Sequence, residues 1–555
     1  MPMPSVRRPC TSAASWAARM TTALVAVALG AGGCNTGPRL VSPENPKFVD
    51  RKHVEFPSGY VLQLVAERLT APTCVAAAPD GSIIVAESGI GTDDGPRILG
   101  WRADGSAFEV YPNRGSDPFA FLRSGLKIRG PIGGMAWVGS TLYVTHRDEN
   151  DLGVVTALDL VARTHRTVVA DLPAQGDHAL TDVTVHPTTG RLWFGLGTAT
   201  NSGVVGLDNF AAGWVRDHPK AADQPHADLK LLGYRFNTRN PNAGLFGGED
   251  VAVTAPFQPF GASNQTRVPA STTGKPNGAI FSISPDGGDL KVEASGLRLP
   301  RGLAFNEFGR LYATNDGMEL RGTRPVQDDP DALLRIVAGT WYGWPDFSAD
   351  LRPIASLPLG DTARQLLMQS GYPDLAALID HAATGLVPPN RDALVAAVFP
   401  SLSGAAKFDF VPDAGAFREF RGSAVVALGG DRAPFATSGQ PLSTLPGYKV
   451  VRVDVDARQV REFIRNAKGV PASRSGDADA LERPIDVKFA PAGGAMYVLD
   501  FGVMEMRDGR PRAHRRTGRL FRLVPAPQQA PSTTQKAVPP PPPPPSQHTG
   551  GGIAG

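Results

Sequence analysis

The sequence is poor in cysteine and almost balanced in charge. Its 555 residues include 3 cysteines, and no CxxCH motif occurs, which excludes a covalently attached c-type haem. A formal net charge of +3, with no dense basic tract interleaved with aromatic residues, argues against nucleic acid as a partner. Uninterrupted helical patterns are also few, whereas 62 Gly and 51 Pro are typical of short strands joined by tight turns. The composition therefore favours an all-β protein.

The N-terminal region has the pattern of an export signal. Two arginines and then the apolar run Met20–Gly33, which is too short to span a bilayer comfortably, precede Cys34. This pattern predicts a signal peptide over residues 1–34 with lipidation of Cys34, and plain secretion is the alternative. We therefore expect the protein in the cell envelope, as a periplasmic or outer-membrane lipoprotein, or outside the cell. Removal of Cys10 and lipidation of Cys34 would leave Cys74, so no intramolecular disulfide is expected.

Composition divides the remaining chain into three parts. Residues 35–56 are predicted to be a tether, and residues 57–524 a folded body. Residues 525–555 form a Pro/Gly-rich tail that cannot bury a core, so we predict it to be disordered. Two insertions interrupt the body: 206–274 is rich in loops, and 362–402 contains helical patterns such as TARQLLMQ and RDALVAAVF.

The body contains a recurring strand–turn–strand unit. Each copy has an apolar or alternating run, a turn that contains Gly, and a second apolar run. About six copies predict a six-bladed β-propeller, and a seven- or eight-bladed propeller is the alternative. Strand-like segments near Gly59 and Gly518 are expected to pair and close the ring. The copies are Cys74–Ser88, Gly133–Arg147, Thr181–Gly197, Gly302–Gly317, Phe408–Asp431 and Ile485–Gly502.

Polar residues of distant repeats align at one end of the predicted propeller, here called the mouth. Each blade runs from an inner strand outward, so the turn before its first strand and the turn after its second strand open on the same face. Arginine suits bidentate recognition of carboxylates, so an excess of arginine at the mouth predicts a site for a polycarboxylate ligand. A histidine there can remove a proton from an alcohol, and His178, next to Asp177, is the best candidate.

Five motifs in order resemble one protein family. They are GDH at Gly176–His178, SGLRLPRGLAF from Ser295, a run ending AGTWYGWPD at Asp346, KFDFVP from Lys407 and ERPIDVKFAPAGGAMYVLDFG from Glu482. Together they resemble the soluble quinoprotein glucose/sorbosone dehydrogenases, six-bladed propellers that use pyrroloquinoline quinone (PQQ) and calcium. The resemblance implies an oxidoreductase that oxidises a sugar or a related alcohol or aldehyde and passes electrons to a separate acceptor.

The resemblance also implies roles for individual residues. His178 would be the base that takes the hydroxyl proton of the substrate, and Asp177 would orient it. Arg298 matches a cofactor-contacting arginine of the family, Arg432 stands near the place of a cofactor-contacting lysine, and Arg483 falls in the arginine-bearing corner of the last blade. Arg301 and Arg129, which align at the same mouth, are further candidates for cofactor binding.

A calcium site is implied by the same family. The backbone oxygens of Asp316, Gly317 and Met318 match the loop that holds the cofactor-associated ion, and a hard cation prefers such oxygen ligands. A second, structural ion is predicted nearby. Its expected ligands are Asp328, Asp329 and Asp331.

One departure from the family pattern and two other functions bear on this interpretation. Leu299 stands where the glucose oxidisers of the family carry an Asn that contacts the quinone, so the resemblance does not predict glucose as the substrate. A calcium-dependent lactonase or esterase on the same fold is one alternative, with Glu87, Asn315 and Asp500 as candidate metal ligands. A propeller that binds a ligand without catalysis is the other.

Overall fold

A computed structural model of the chain describes residues 37–41, 45–112, 125–243 and 249–527. The predicted signal peptide with Cys34, and the tail beyond residue 527, lie outside the described residues. Within them the strands form six sheets of four or more strands, so the predicted six-bladed β-propeller is confirmed. No helix in the described part of the chain is long and apolar enough to cross a bilayer.

Each blade is a four-stranded antiparallel sheet whose first strand is the innermost. Blades 1 to 3 consist of Pro72–Ala77, Ile83–Glu87, Arg97–Trp101 and Ala107–Tyr111; of Arg129–Val138, Thr141–Arg147, Gly153–Asp159 and Thr164–Leu172; and of Leu180–Val185, Leu192–Leu196, Ala279–Ile283 and Lys291–Ser295. Blades 4 to 6 consist of Pro300–Phe305, Leu311–Asn315, Pro330–Arg335 and Val395–Ser401; of Ala405–Phe410, Ser423–Leu428, Lys449–Asp454 and Gln459–Asn466; and of Pro484–Phe489, Met496–Asp500, Gly518–Pro525 and Tyr60–Leu69.

Blade 6 closes the ring, because its outer strand comes from the other end of the chain. Tyr60–Leu69 pairs antiparallel with Gly518–Pro525, as the sequence predicted. The segment predicted to be a tether adds short strands to this edge, since Arg39–Leu40 and Lys47–Phe48 pair with Tyr60–Leu69. Val54–Glu55 pairs with the outer strand of blade 5. The described part of the tether is therefore bound to two blades.

The hydrophobic core lies between neighbouring blades. Alternation along each strand places one face against each neighbour, so Val425 and Val450 of blade 5 pack with Val487 and Val498 of blade 6, all fully buried. The inner strands also approach closely. A Cβ at Gly134 of blade 2 would lie 2.6 Å from the backbone nitrogen of Val183 in blade 3, so this contact requires glycine.

The insertions carry the helices and the smaller strands. Within blade 3 the insertion holds helices Leu207–Ala212 and Trp214–Asp217 and strands Leu229–Lys230, Phe236–Arg239, Val251–Thr254 and Arg267–Val268. Further along the chain are strand Thr340–Trp341 and the helices Asp361–Gln369, His381–Thr384, Arg391–Leu394 and Ala472–Ser475. Only the start of the predicted helical run RDALVAAVF is helical. Its second half is Val395–Ser401, which pairs with Pro330–Arg335, because a free sheet edge and β-branched side chains outweigh the helix propensity of alanine there.

Blade 6 has its own insertion, a two-stranded hairpin that we call the mouth hairpin. It consists of Met504–Arg507 and Arg510–Ala513 and lies between the second and third strands of the blade. A Cβ at its tip residue Gly509 would lie 2.6 Å from the Cβ of Ala211, in the first helix of the blade 3 insertion. Because blades 3 and 6 are opposite each other in a six-membered ring, the hairpin spans the mouth.

Candidate active site at the propeller mouth

A cavity of ≈ 380 Å³ lies at the end of the propeller that the repeat alignment identified as the mouth. Its wall contains residues from the beginnings of the first strands of several blades and from the turns after the second strands. The prediction that these corners open on one face is therefore confirmed. These residues include Thr73, Pro131, Arg301, Gly404, Ile485, Asp316, Gly430 and Phe501.

The mouth hairpin covers part of this cavity. Met504, Met506, Gly509 and Pro511 line it, so the side of the hairpin that faces inward is apolar. Trp214, from the blade 3 insertion, lines the same cavity. The insertion 206–274 and the hairpin thus enclose a volume that falls within the range typical of small-ligand sites, about 300–1,000 Å³.

Arginines and acidic residues line the cavity in equal number. Five arginines and five carboxylates take part in the wall, so the predicted excess of arginine is wrong. The prediction fell short because two of the carboxylates, on Glu319 and Asp331, lie outside the corners that the repeat alignment singled out. The charged lining residues are Arg147, Arg301, Arg321, Arg432, Arg483, Asp177, Asp316, Glu319, Asp331 and Asp431.

Glu319 is the centre of the charged cluster. Its Oε2 lies 2.5 Å from Nε of Arg321 and 3.3 Å from Nη2 of Arg298, and its Oε1 lies 2.6 Å from Nη2 of Arg432. Burial alone would raise the pKa of the Glu319 carboxyl, but the guanidinium groups of Arg432, Arg321 and Arg298 hold it well below its usual range. Glu319 is therefore ionised and serves as the shared counter-charge of three arginines.

Arg298 is held beneath the cavity wall. Its side chain is 2% exposed, its Nε donates to the carbonyl of Asn201 over 3.2 Å, and its Nη2 donates to Oδ1 of Asn201 over 3.0 Å. Nη1 of Arg298 has no partner although it is buried. The resemblance assigned this arginine to the cofactor, and the structure leaves one of its donors unmatched.

His178 has a defined tautomer. Its Nδ1 lies 3.0 Å from the carbonyl oxygen of Thr198, which can only accept, so Nδ1 carries the proton and Nε2 carries the lone pair. Nε2 is buried without a partner. Burial, together with the charge of Arg298, places the pKa of His178 well below its usual value, so the ring is neutral at pH 7.

Asp177 does not hold the His178 ring, contrary to the sequence-based assignment. Its Oδ2 accepts from Nη2 of Arg321 over 2.7 Å, and its Oδ1 accepts from the indole nitrogen of Trp214 over 2.7 Å and from Nδ2 of Asn209 over 3.0 Å. Asp177 therefore fixes Arg321 and ties the blade 3 insertion to the mouth. The carbonyl of Thr198 orients the imidazole in its place.

The other predicted cofactor-binding arginines differ in position. Arg301 pairs with Oδ2 of Asp316 over 3.1 Å, and Arg483 donates to the carbonyls of Gly429, Gly430 and Asp431. These two and Arg432 line the cavity, whereas Arg298 and His178 do not; Arg298 contacts the lining residue Glu319, and His178 stands in the chain between the lining residues Asp177 and Ala179. Arg129 is outside the site, because its exposed side chain pairs with Asp151 on the rim.

The predicted calcium loop is shaped by two buried aspartates. Oδ1 of Asp331 accepts from the backbone nitrogen of Gly317 over 2.8 Å, and Oδ2 of Asp329 accepts from that of Met318 over 2.7 Å. Burial raises the pKa of both aspartates to about 7. Asp328 is exposed instead, so the three aspartates predicted to hold a structural ion do not converge. The described residues contain no group of three or more His, Cys, Asp or Glu that could hold a metal ion.

The same loop keeps one carboxylate oxygen free. Oδ1 of Asp316 is buried, has no hydrogen-bond partner, and belongs to a residue that lines the cavity. Such an oxygen is a suitable ligand for a hard cation. A calcium ion next to Asp316 and the backbone oxygens of residues 316–318 is consistent with this arrangement.

The metal ligands that a lactonase would need are engaged elsewhere. Glu87 accepts from the backbone nitrogen of Thr70, Asn315 from that of Leu299, and Asp500 from those of Glu482 and Arg483. Each side chain thus satisfies backbone groups next to its own strand. This geometry does not favour the lactonase alternative.

Sequence reasoning missed several residues of the site. Glu319 and Arg321 immediately follow the predicted calcium loop, but no repeat alignment reaches them. Trp214 and Asn209 lie in an insertion without a blade counterpart. A usable signal was the run MELR after Asn315-Asp316-Gly317, in which Glu and Arg alternate directly behind a corner of the mouth.

No protein-family model and no curated protein shows significant similarity to the chain. In structure it is similar to the PQQ domain of pyranose dehydrogenase from Coprinopsis cinerea, with 13% identity, 88% of this chain and 100% of that chain covered, and a TM-score of 0.48. For the PQQ-bound aldose sugar dehydrogenase from Streptomyces coelicolor the identity is 16%, the coverage 84% and 99%, and the TM-score 0.42.

A gluconolactonase from Xanthomonas campestris is also similar, with 13% identity, 86% of this chain and 97% of that chain covered, and a TM-score of 0.37. At these identities the likeness concerns the fold alone. The fold that the sequence motifs implied, a six-bladed β-propeller, is confirmed by the arrangement of the strands, and PQQ-dependent sugar dehydrogenases are among the solved structures that the chain resembles.

Proposed function

We propose that the protein is an oxidoreductase that oxidises a sugar or a related alcohol or aldehyde, with PQQ and calcium held at the mouth. The observation that carries the proposal is a group of unmatched buried polar atoms, three on residues that line the mouth cavity and two on residues directly next to lining residues. Buried polar atoms in proteins are normally hydrogen-bonded, so such a cluster is suited to a polar ligand. The atoms are Nε of Arg147, Nε2 of His178, Nη1 of Arg298, Oδ1 of Asp316 and Nε of Arg483.

The chemistry of these atoms fits the implied cofactor. Three unmatched guanidinium donors suit the carboxylates of PQQ, and the free oxygen of Asp316 suits calcium. When bound, the quinone would supply a two-electron acceptor and the ion a Lewis acid. Glu319 remains inside the arginine cluster, so a bound carboxylate would share Arg432 and Arg298 with it.

His178 is suited to the role of general base. Because Nδ1 is committed to the carbonyl of Thr198, the free lone pair is on Nε2, and the low pKa keeps it unprotonated. A substrate hydroxyl that reaches Nε2 would give up its proton there as the carbon is oxidised. The side chain of Leu299 offers this hydroxyl no hydrogen bond. A Cβ at Gly197 would lie 2.5 Å from the Cβ of His178 and 2.9 Å from the Cδ1 of Leu299. The two side chains therefore flank Gly197.

The biological setting remains part of the proposal. We propose export to the cell envelope through residues 1–34, with anchoring at Cys34, and a separate electron acceptor. The N-terminal arginines, the apolar run Met20–Gly33 and Cys34 support export and anchoring, and the resemblance carried by the five sequence motifs supports a separate electron acceptor.

Reconstitution tests the proposed function. Purified protein is titrated with PQQ and Ca²⁺, binding is followed by the absorbance of the quinone, and reduction of an uncharged dye is measured with aldoses, polyols and aldehydes. We expect saturable binding and dye reduction with at least one substrate class. Absence of quinone binding at micromolar protein would refute the proposal.

The His178→Gln variant tests the base. We expect turnover to fall by about 10²–10⁴-fold, because general-base catalysis contributes that much, while the dissociation constant for PQQ changes little. His186→Gln is the matched control, because His186 accepts from the backbone nitrogens of Thr188 and Thr189 in a surface turn. Equal turnover of both variants would show that His178 is not the base.

A further inference from the structure

The segment that contains the mouth hairpin concentrates positive charge. Residues 504–516 hold five arginines against Glu505 and Asp508, a local excess that equals the formal net charge of +3 of the whole chain. All five arginines are exposed. They are Arg507, Arg510, Arg512, Arg515 and Arg516.

Few of these charges are neutralised by neighbours. Arg515 pairs with Asp94 over 3.1 Å, and Arg507 lies 3.8 Å from Glu505. The remaining three, Arg510, Arg512 and Arg516, form no ion pair with any described residue. Two unpaired, exposed guanidinium groups therefore belong to the hairpin, those of Arg510 and Arg512, and a third, that of Arg516, lies just beyond it.

The two faces of the hairpin differ in chemistry. Met504 is paired with Ala513 and Met506 with Pro511, and these residues form the apolar face toward the cavity. The alternate pairs, Glu505 with Arg512 and Arg507 with Arg510, form the outer face, because side chains alternate along a strand. The basic surface thus lies directly over the cavity.

The hairpin is attached at both ends. At its base the backbone nitrogen of Ala513 donates to the carbonyl of Gly91 in blade 1 over 2.9 Å. At its tip Gly509 packs on Ala211, and the guanidinium of Arg510 packs on Gly213 so closely that a Cβ there would overlap it. The charged face is therefore carried on a fixed element of the structure.

We propose that the outer face of the mouth hairpin docks an acidic, water-soluble protein that accepts electrons one at a time. This inference rests on the proposed function. Oxidation of a CH–OH group to C=O releases two electrons and two protons. Two haem iron(III) centres, one per docked acceptor, would each take one electron and become iron(II), and the protons would pass to water.

Position and charge both favour such a partner. The hairpin is a single layer of β-structure, so a protein on its outer face would be separated from the cavity by roughly the 10 Å spacing of packed sheets. Complementary charge accelerates encounter and orients small, transient electron-transfer contacts. The outer face has no aromatic residue to stack on bases and no apolar residue to enter a lipid surface, which favours an acidic protein over nucleic acid or membrane.

A binding measurement with two haem proteins tests the docking surface. Full-length protein is passed over immobilised soluble cytochrome b5, which is acidic, and cytochrome c, which is basic and of similar size. We expect binding to cytochrome b5 alone, weakened at least tenfold when NaCl is raised from 20 to 200 mM. The double variant Arg507→Glu/Arg512→Glu, which changes two residues of the outer face, should weaken it at least tenfold further at low salt.

The control variant is Arg458→Glu/Arg461→Glu, which makes the same change of charge on the exposed outer edge of blade 5 and should bind like the wild type. The docking surface would be overturned if both double variants bound equally well or if the protein bound cytochrome c. It would also be overturned if the hairpin bound anionic vesicles or single-stranded DNA and the protein did not bind cytochrome b5. Dye reduction is measured in parallel. If the wild-type protein reduces the dye but does not bind cytochrome b5, this inference alone is refuted; if it binds cytochrome b5 but reduces no dye, the proposed function is refuted.

Discussion

Replacing Glu319 with glutamine should destabilise the protein and at the same time improve its affinity for anions. The carboxylate lies within 3.3 Å of Arg298, Arg321 and Arg432, and the first two of these are almost completely buried. Glutamine keeps the size of the side chain and removes the charge. Three guanidinium groups then lose a shared partner, and the cluster gains net positive charge.

The loss of stability in Glu319→Gln can be estimated from the contacts that the three arginines keep. Breaking a buried ion pair by removing one partner costs about 3–5 kcal/mol. Arg321 keeps Asp177 and Asp208, Arg432 is 30% exposed to water, and Arg298 keeps its two hydrogen bonds to Asn201, so the lower value of about 3 kcal/mol applies. With an unfolding entropy of about 2.1 cal/mol/K per residue over roughly 470 residues, this corresponds to a fall in Tm of roughly 3 °C.

The gain in anion binding is measured by the same thermal unfolding. A ligand at 100 times its dissociation constant stabilises the folded state by about 2.7 kcal/mol, which would offset most of the stability that the substitution removes. We therefore expect malonate or PQQ to raise the Tm of Glu319→Gln by more than it raises the Tm of the wild type, and the dissociation constant for PQQ to fall at least tenfold.

Asp350→Asn is the control for this prediction. Asp350 is also buried, and it pairs with Arg352 and Arg391 in the region of the second insertion, away from the cavity wall. This variant should lose stability without any added response to anions. An unchanged Tm of Glu319→Gln, or equal anion responses of the two variants, would refute the role of Glu319 as an internal counter-charge.

Two further predictions concern buried titratable groups. Burial raises the pKa values of Asp329 and Asp331 to about 7, whereas in the unfolded chain they are about 3.9. Between these values the folded state binds more protons than the unfolded state, so the stability of the fold decreases as pH rises from about 4 to about 7. Urea midpoints at pH 5, 6 and 7 should therefore decrease in that order, and Asp331→Asn should flatten the trend. Cys74 is 1% exposed and burial raises the pKa of its thiol to about 11, so iodoacetamide at pH 8 should label it only after unfolding, and rapid labelling of the folded protein would contradict its position in the blade interface.

The fold could be predicted from the sequence because its signals are local and repeated. Each blade is predicted by two short apolar runs and a turn that contains glycine, as in Thr181–Gly197, and six copies of this pattern predict the ring. The exception, Val395–Ser401, shows the limit: an alanine-rich run became the outer strand of blade 4 because Pro330–Arg335 offered it an unpaired edge. That edge exists only in the assembled blade.

The site was predicted only in part, because its chemistry depends on contacts between distant segments. The alignment of corners correctly brought Arg301, Arg432 and Arg483 to one cavity. It could not show that Glu319 would neutralise Arg432 or that Asp316 would pair with Arg301. Nor could the adjacency of Asp177 and His178 in sequence reveal that their side chains turn to different partners, Arg321 and the carbonyl of Thr198.

The closure of the ring by Tyr60–Leu69 and Gly518–Pro525 fixes when the mouth can be completed during synthesis. A chain still being made lacks the third strand of blade 6 until residue 525 has emerged, so blade 6 stays incomplete and its edges stay open. The mouth hairpin, which precedes that strand, cannot take its place over the cavity earlier. The mouth is therefore assembled last, and a nascent or truncated chain without the final strand should hold neither the enclosed cavity nor the basic surface above it.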